Sequence, residues 1–229
     1  MEDDRLYIQT ELCTGTLADE IASGSLTEHR RFKVLREILV ALEFLHRQCM
    51  VHLDIKPENI FLKNDQYKLG DFGLVTRASS DQDVDEGDSR YMSLELLMGD
   101  RSDLTKSDIF SLGVTMYEIC LGRPLPMNGP EWQDIRHGRL IMPLPNTPHE
   151  LSTIVRQMMG PVPAHRPTAS QLLQHPQLLS DEQKALKLEK TRVMQANMQL
   201  AQHAFSKMCP PPTKRALTRA NTWNGSSNL

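Results

Sequence analysis

Asp54, Lys56 and Asn59 fall inside one short stretch, HLDIKPEN, and Asp71 follows in an Asp-Phe-Gly triplet 17 positions after Asp54. Two carboxylates, an amide oxygen and an ammonium group at one point suit a phosphate ligand accompanied by Mg²⁺, a hard cation that prefers oxygen. Such a group can orient an acceptor hydroxyl and neutralise charge on a phosphoryl group in transfer. The plainer alternative is a loop of solvated charges with His52 packed in a core. Convergence requires the two ends of the intervening chain to meet. The apolar segments 60–62 (IFL) and 67–69 (YKL), split by Asn64-Asp65, predict a hairpin that brings those ends together.

The remaining elements must carry that hairpin. Leu6 and Ile8 alternate with Tyr7 and Gln9, which predicts a half-buried strand over RLYIQTEL. Ser25 and Glu28 have capping-box spacing ahead of a long helix whose Phe32, Leu35, Ile38, Leu39, Leu42 and Leu45 share one face. Between 108 and 121 the apolar residues spread right round the helix, the pattern of a buried central helix. A short helical piece is expected around Trp132 and Ile135. Another helix carries Leu151, Ile154, Val155, Met158 and Met159, and a last one starts at the capping box Thr168 to Gln171. Residues 71–95 show little regular pattern. Residues 181–208 read as a polar helix, and 210–229, rich in Pro, Thr, Asn and Ser, as disordered.

Composition narrows the function classes. With 39% hydrophobic and 24% charged residues, the 229-residue chain reads as a soluble globular protein with a tail. A net charge of −3 supplies no global field for nucleic acid. No apolar run approaches the roughly 20 residues that span a bilayer, and MEDDRLYIQ does not resemble a signal or transit peptide. Cys13, Cys49, Cys120 and Cys209 form no C-x-x-C pair, which fits a reducing compartment.

HLDIKPEN and the Asp-Phe-Gly triplet resemble the protein-kinase catalytic loop H-R-D-x-K-x-x-N and metal-binding turn D-F-G. The resemblance implies a mainly α fold, a kinase-like helical C-lobe with short β-hairpins, from a parent two-lobed α+β kinase. It implies Asp54 and Lys56 as catalytic residues, Asp54 handling the substrate hydroxyl's proton and Lys56 set against the γ-phosphate. It implies ATP and Mg²⁺ as cofactors, with Asn59 and Asp71 on the metal. Residues 1–13 would be the last small-lobe strand and hinge, with Thr10 as gatekeeper and the backbone of Glu11 and Cys13 offered to adenine. Residues 14–180 would be the C-lobe, 181–208 a helical extension and 209–229 a basic disordered tail. Glu95 and Arg166 match the pair that holds the activation segment, and Asp108 the aspartate that anchors the catalytic-loop backbone.

Leu53 in place of the usual arginine, the segment EGDSRY at 86–91, and LPMNGPEWQDIRHGRL at 125–140 resemble the Wee-type mitosis-inhibitory kinases. That likeness implies an inhibitory tyrosine on a cyclin-dependent kinase, bound with its cyclin, as substrate, and a nuclear location, with a cytoplasmic one as the alternative. Lys56 is the residue expected in serine/threonine kinases, so threonine specificity stays open. Phe72 matches the membrane-associated Myt branch rather than the nuclear Wee branch, yet no membrane-spanning stretch follows, and the branch stays open. The 229 residues contain no G-x-G-x-x-G loop, so this chain alone is expected to transfer phosphate weakly or not at all: misplacement by about 1 Å can cost on the order of a hundredfold. A non-catalytic fragment or pseudokinase-like binding module for cyclin-dependent kinase or 14-3-3 partners is the rival reading. In the tail, Met194, Met198, Ala201, Phe205 and Met208 form a helical stripe, and Arg215 and Arg219 each precede a threonine by three. Phosphorylated Thr218 or Thr222 would suit the Arg cluster of a 14-3-3 protein.

Overall fold

Apolar residues recurring every three or four positions give one long helix a core-facing side: Val34, Leu35, Ile38, Leu39, Leu42 and Leu45 are all buried along it. The computed structural model describes residues 8–24, 26–79 and 87–208, and the chain divides into two units, 1–179 and 180–229. In chain order the first unit contains β1 (Gly15–Thr16), α1 (Leu17–Ser23), α2 (Glu28–Arg47), β2 (Met50–Val51), β3 (Ile60–Lys63), β4 (Gln66–Leu69) and β5 (Thr76–Arg77). It continues with α3 (Leu94–Leu97), α4 (Leu104–Leu121), α5 (Pro130–Arg136), α6 (His149–Met158) and α7 (Ala169–Leu173). The second unit holds α8 (Asp181–Met208). No described helix is long and apolar enough to cross a membrane.

The mainly α class expected from the sequence is the one observed. The long helix is α2, and the all-round apolar helix is α4, whose residues from Ser107 to Cys120 are buried without exception. At Gly113 the end of α6 comes so close to α4 that a Cβ would lie 2.8 Å from the Met159 side chain. The hairpin forms in the expected register, with Ile60 opposite Leu69 and Lys63 opposite Gln66. Asn64 and Asp65 both take positive φ, 48° and 62°, as a tight two-residue turn requires. The capping box at Thr168 and Gln171 is present in both directions.

Two local expectations are corrected. Residues 8–13 form no strand: no described strand lies beside them, so their backbone has no ladder to join, and the first pairing is Gly15 with Leu62. Ile8 and Leu12 are correspondingly exposed. The cap of α2 is Thr27, which accepts the Arg30 N–H from an extended conformation; Ser25 lies outside the described residues. Also outside them lie the acidic residues of 81–86, the side chains of the tail stripe beyond residue 199, and Thr218 and Thr222.

Candidate active site

The site is built on two anchors that meet at His52, ahead of β3. The first is Asp108, fully buried on α4. Its carboxylate accepts the backbone N–H of His52 at 2.9 Å and of Leu53 at 2.8 Å, and His46 Nε2 lies 2.9 Å away. These bonds hold Leu53 in the left-handed region at φ 65°, a conformation unfavourable for a branched side chain. Leu53 itself is buried with Val51 and Leu104. The second anchor is His52, whose Nε2 lies 3.0 Å from the Gly70 carbonyl and whose ring meets Phe72 edge-on. Gly70 N–H in turn donates to the Asn59 carbonyl at 3.0 Å. The segment before the hairpin is thereby stitched to the Asp-Phe-Gly turn after it.

Asp54, Lys56 and Asn59 converge. Asp54 Oδ2 accepts from Lys56 Nζ at 2.7 Å and from Asn59 Nδ2 at 2.7 Å, and Asn59 Nδ2 also donates to the Asp54 carbonyl. Both partners of that amide nitrogen are acceptors, so the Asn59 Oδ1 is left for another ligand. Asp54 Oδ1 accepts the Asp88 N–H at 3.2 Å. Asp71 is exposed, at φ 58°, and accepts the Gly73 N–H. It lines a cleft of about 640 Å³ with Thr10, Glu11, Cys13, Phe61 and Gly70, among others. The hinge candidates and the metal-turn candidate therefore face the same space. An amide oxygen and a carboxylate are the hard donors that suit Mg²⁺, which takes one or two protein ligands and completes its shell with phosphates and water. The Glu11 carboxylate is bound by Lys68 at 2.6 Å and Lys63 at 3.0 Å, and Lys68 chiefly holds it below the usual glutamate range.

The segment after the Asp-Phe-Gly turn contributes residues that no spacing rule singled out. A Cβ at Gly87 would fall 2.6 Å from the Leu53 carbonyl and 3.0 Å from Asp54 Oδ1, so only glycine admits this approach. Arg90 grips the Asp88 carboxylate at 2.6–3.1 Å. Burial pushes that carboxyl up, and Arg90 overrides the push and holds it below its ordinary value. Further on, Arg166 donates to both oxygens of Glu95, with 3.0 Å for the longer bond, as the matched pair implied. The clue to Asp88 was present in EGDSRY, but nothing in the string says which N–H ends on Asp54.

Residues 1–178 match the protein kinase domain. The chain is similar to a Wee1-like protein kinase of Arabidopsis thaliana, 42% identical over 177 residues, covering 76% of this chain and 35% of the relative. One from Oryza sativa subsp. japonica is 39% identical over 175 residues, covering 76% and 33%. A membrane-associated tyrosine- and threonine-specific cdc2-inhibitory kinase of Drosophila melanogaster is 40% identical over 214 residues, covering 90% and 40%. The chain thus spans between a third and two fifths of the length of these relatives. With the catalytic-loop and metal-turn motifs folded together as described, this chain belongs to the protein kinase family, and its likeness within that family is to the Wee type.

Proposed function

We propose that this chain handles nucleotide and substrate in an ATP-dependent kinase of the Wee type that phosphorylates an inhibitory tyrosine on a cyclin-dependent kinase and so restrains mitotic entry. The observation that carries the reading is the Asp54 carboxylate, held by Lys56 and Asn59 on one oxygen and by the Asp88 N–H on the other. A carboxylate fixed this way is oriented before a hydroxyl arrives, which lowers the cost of aligning it. In this reading Asp54 orients the substrate hydroxyl and Lys56 faces the terminal phosphate. Asn59 and Asp71 hold Mg²⁺, and the Glu11 and Cys13 backbone holds adenine. Bound Mg²⁺·ATP supplies the phosphoryl group and the positive charge that offsets its oxygens. The cyclin-dependent kinase substrate is supported by the Drosophila relative, named as cdc2-inhibitory. A nuclear site of action and 14-3-3 docking at phosphorylated Thr218 or Thr222 belong to the same proposal.

Calorimetric titration of the chain with ATP tests it. Binding is expected to require Mg²⁺, and Asp71→Asn is expected to weaken the Mg²⁺-dependent binding by about tenfold or more. Slow transfer to a tyrosine peptide from the phosphate-binding loop of a cyclin-dependent kinase should accompany it. ATP binding indifferent to Mg²⁺ and to Asp71 would return the chain to the binding-module reading.

Buried Leu53 offers no cation to a phosphorylated activation segment. Phosphatase treatment is therefore expected to leave phosphoryl transfer unchanged, as measured by phosphotyrosine formed per minute. Loss of transfer on treatment would contradict this.

A further inference from the structure

We propose that Arg136 and Trp132 of α5 are positioning residues for Asp54: together they hold the Ser89 carbonyl and thereby set the Asp88 N–H that reaches the Asp54 carboxylate. The proposal rests on the kinase reading only in assigning Asp54 its role; the contacts stand without it.

Arg136 is 1% exposed, and no described carboxylate forms an ion pair with it. Its Nη2 donates to the Ser89 carbonyl and its Nη1 to the Trp132 carbonyl at 2.9 Å, while Nε is buried with no partner. The guanidinium lies 3.7 Å from the centre of the Trp132 ring, and Trp132 Nε1–H donates to the same Ser89 oxygen at 3.2 Å. Taking a guanidinium out of water without a counter-charge is costly. Burial brings the Arg136 pKa down to about 10, which still leaves it cationic near neutral pH. A helix needing only to pack would place an aliphatic residue there, as α5 does at buried Ile135. The observed arrangement instead aims two N–H donors and a positive charge at one carbonyl.

That carbonyl is mechanically joined to the catalytic loop. The Asp88 carboxylate accepts both the backbone N–H of Arg90 at 3.0 Å and the Arg90 guanidinium, closing residues 88–90 into one turn. Fixing the Ser89 oxygen therefore fixes the Asp88 N–H, which lies 3.2 Å from Asp54 Oδ1. Tyr91 closes the same turn with its N–H on the Asp88 carbonyl at 3.0 Å, and is anchored to α4 by its hydroxyl on Glu118 at 2.6 Å and by Ser111 on its carbonyl at 3.0 Å. Loss of the α5 clamp is expected to release 87–90, and with them the Tyr91 N–H, while the Tyr91 side chain stays on Glu118.

Amide NMR of the full chain tests this with a cycle of substitutions. With Arg136 present, Asp54→Asn is expected to shift the Asp88 amide proton, because its acceptor changes from carboxylate to amide. In an Arg136→Met background, which fills the volume without donors, that response is expected to be lost, while the α4 amides stay unchanged. Arg136→Lys, which keeps a cation and a donor, should restore part of it. Should Arg136→Met not fold, Trp132→Phe removes one donor while keeping a ring, and a reduced response is expected. An Asp88 response to Asp54→Asn that is the same size in the native and Arg136→Met backgrounds overturns the proposal. Where only Trp132→Phe folds, an undiminished response in that background overturns it equally. If the response depends on Arg136 while Mg²⁺·ATP binding fails, the clamp stands and the kinase reading falls.

Discussion

Replacing Arg166 with methionine is expected to destabilise the first unit by about 3–5 kcal/mol, the range for breaking a buried ion pair from one side. At roughly 2–4 °C per kcal/mol for a domain of this size, the melting temperature should fall by about 10 °C. Arg166 is 2% exposed, and besides Glu95 it donates to the Gly160 carbonyl at 2.7 Å and the Lys106 carbonyl at 3.0 Å. Its guanidinium also sits 4.7 Å from the Phe110 ring centre. The substitution therefore leaves a partly buried carboxylate without its counter-charge and two carbonyls with one donor fewer. Changing Glu95 to leucine in the same molecule should recover much of the loss, since an apolar pair removes the uncompensated charge. The pH dependence has a definite sign. Burial raises the Glu95 carboxyl, but Arg166 outweighs it and holds the group below its ordinary 4.5. The pair's contribution is thus complete above that value and is lost as pH falls through the lower folded-state value. The difference in melting temperature between native and Arg166→Met proteins should hold steady down to about pH 4.5 and shrink as pH falls further below it. A constant difference would show that the loss is packing alone.

Asparagine at position 108 is expected to cost about 3 kcal/mol and to free the catalytic loop. The native carboxylate serves His52 N–H and His46 on Oδ2 and Leu53 N–H on Oδ1. An amide has one oxygen, so its NH₂ must face at least one of those buried donors. That apposition leaves an N–H unsatisfied where no water reaches, and it removes the force that keeps Leu53 at φ 65°. Hydrogen exchange at His52 and Leu53 should accelerate by roughly a hundredfold, the equivalent of about 3 kcal/mol. Exchange within α4 should change only by the global loss. If the two loop amides keep their native rates, Asp108 is not what holds them.

Much of this architecture is written in short-range patterns. The stripe on α2, the all-round apolar α4, the Asn64-Asp65 turn and the Thr168–Gln171 box depend on residues within a few positions of one another, so periodicity and capping chemistry expose them. The same locality explains the two misreadings. Alternation at 6–9 describes a strand only if a neighbour supplies the ladder, and for 8–13 none is described. Ser25 and Thr27 are both hydroxyl residues that could cap α2, and their spacing from Glu28 does not say which one takes extended geometry at the true start.

By itself the sequence named the groups offered for chemistry, the carboxylates, amide and ammonium of HLDIKPEN and Asp-Phe-Gly, and its hairpin reading set the two motifs at the same end of β3 and β4. Only the tertiary structure decided how each is held. Asp88 N–H on Asp54, the Arg136 guanidinium on the Ser89 carbonyl and His52 N–H on Asp108 join residues 34, 47 and 56 positions apart. Such bonds are made by backbone groups that every residue possesses, so no residue type advertises them, and their partners exist only once α4 and α5 have packed.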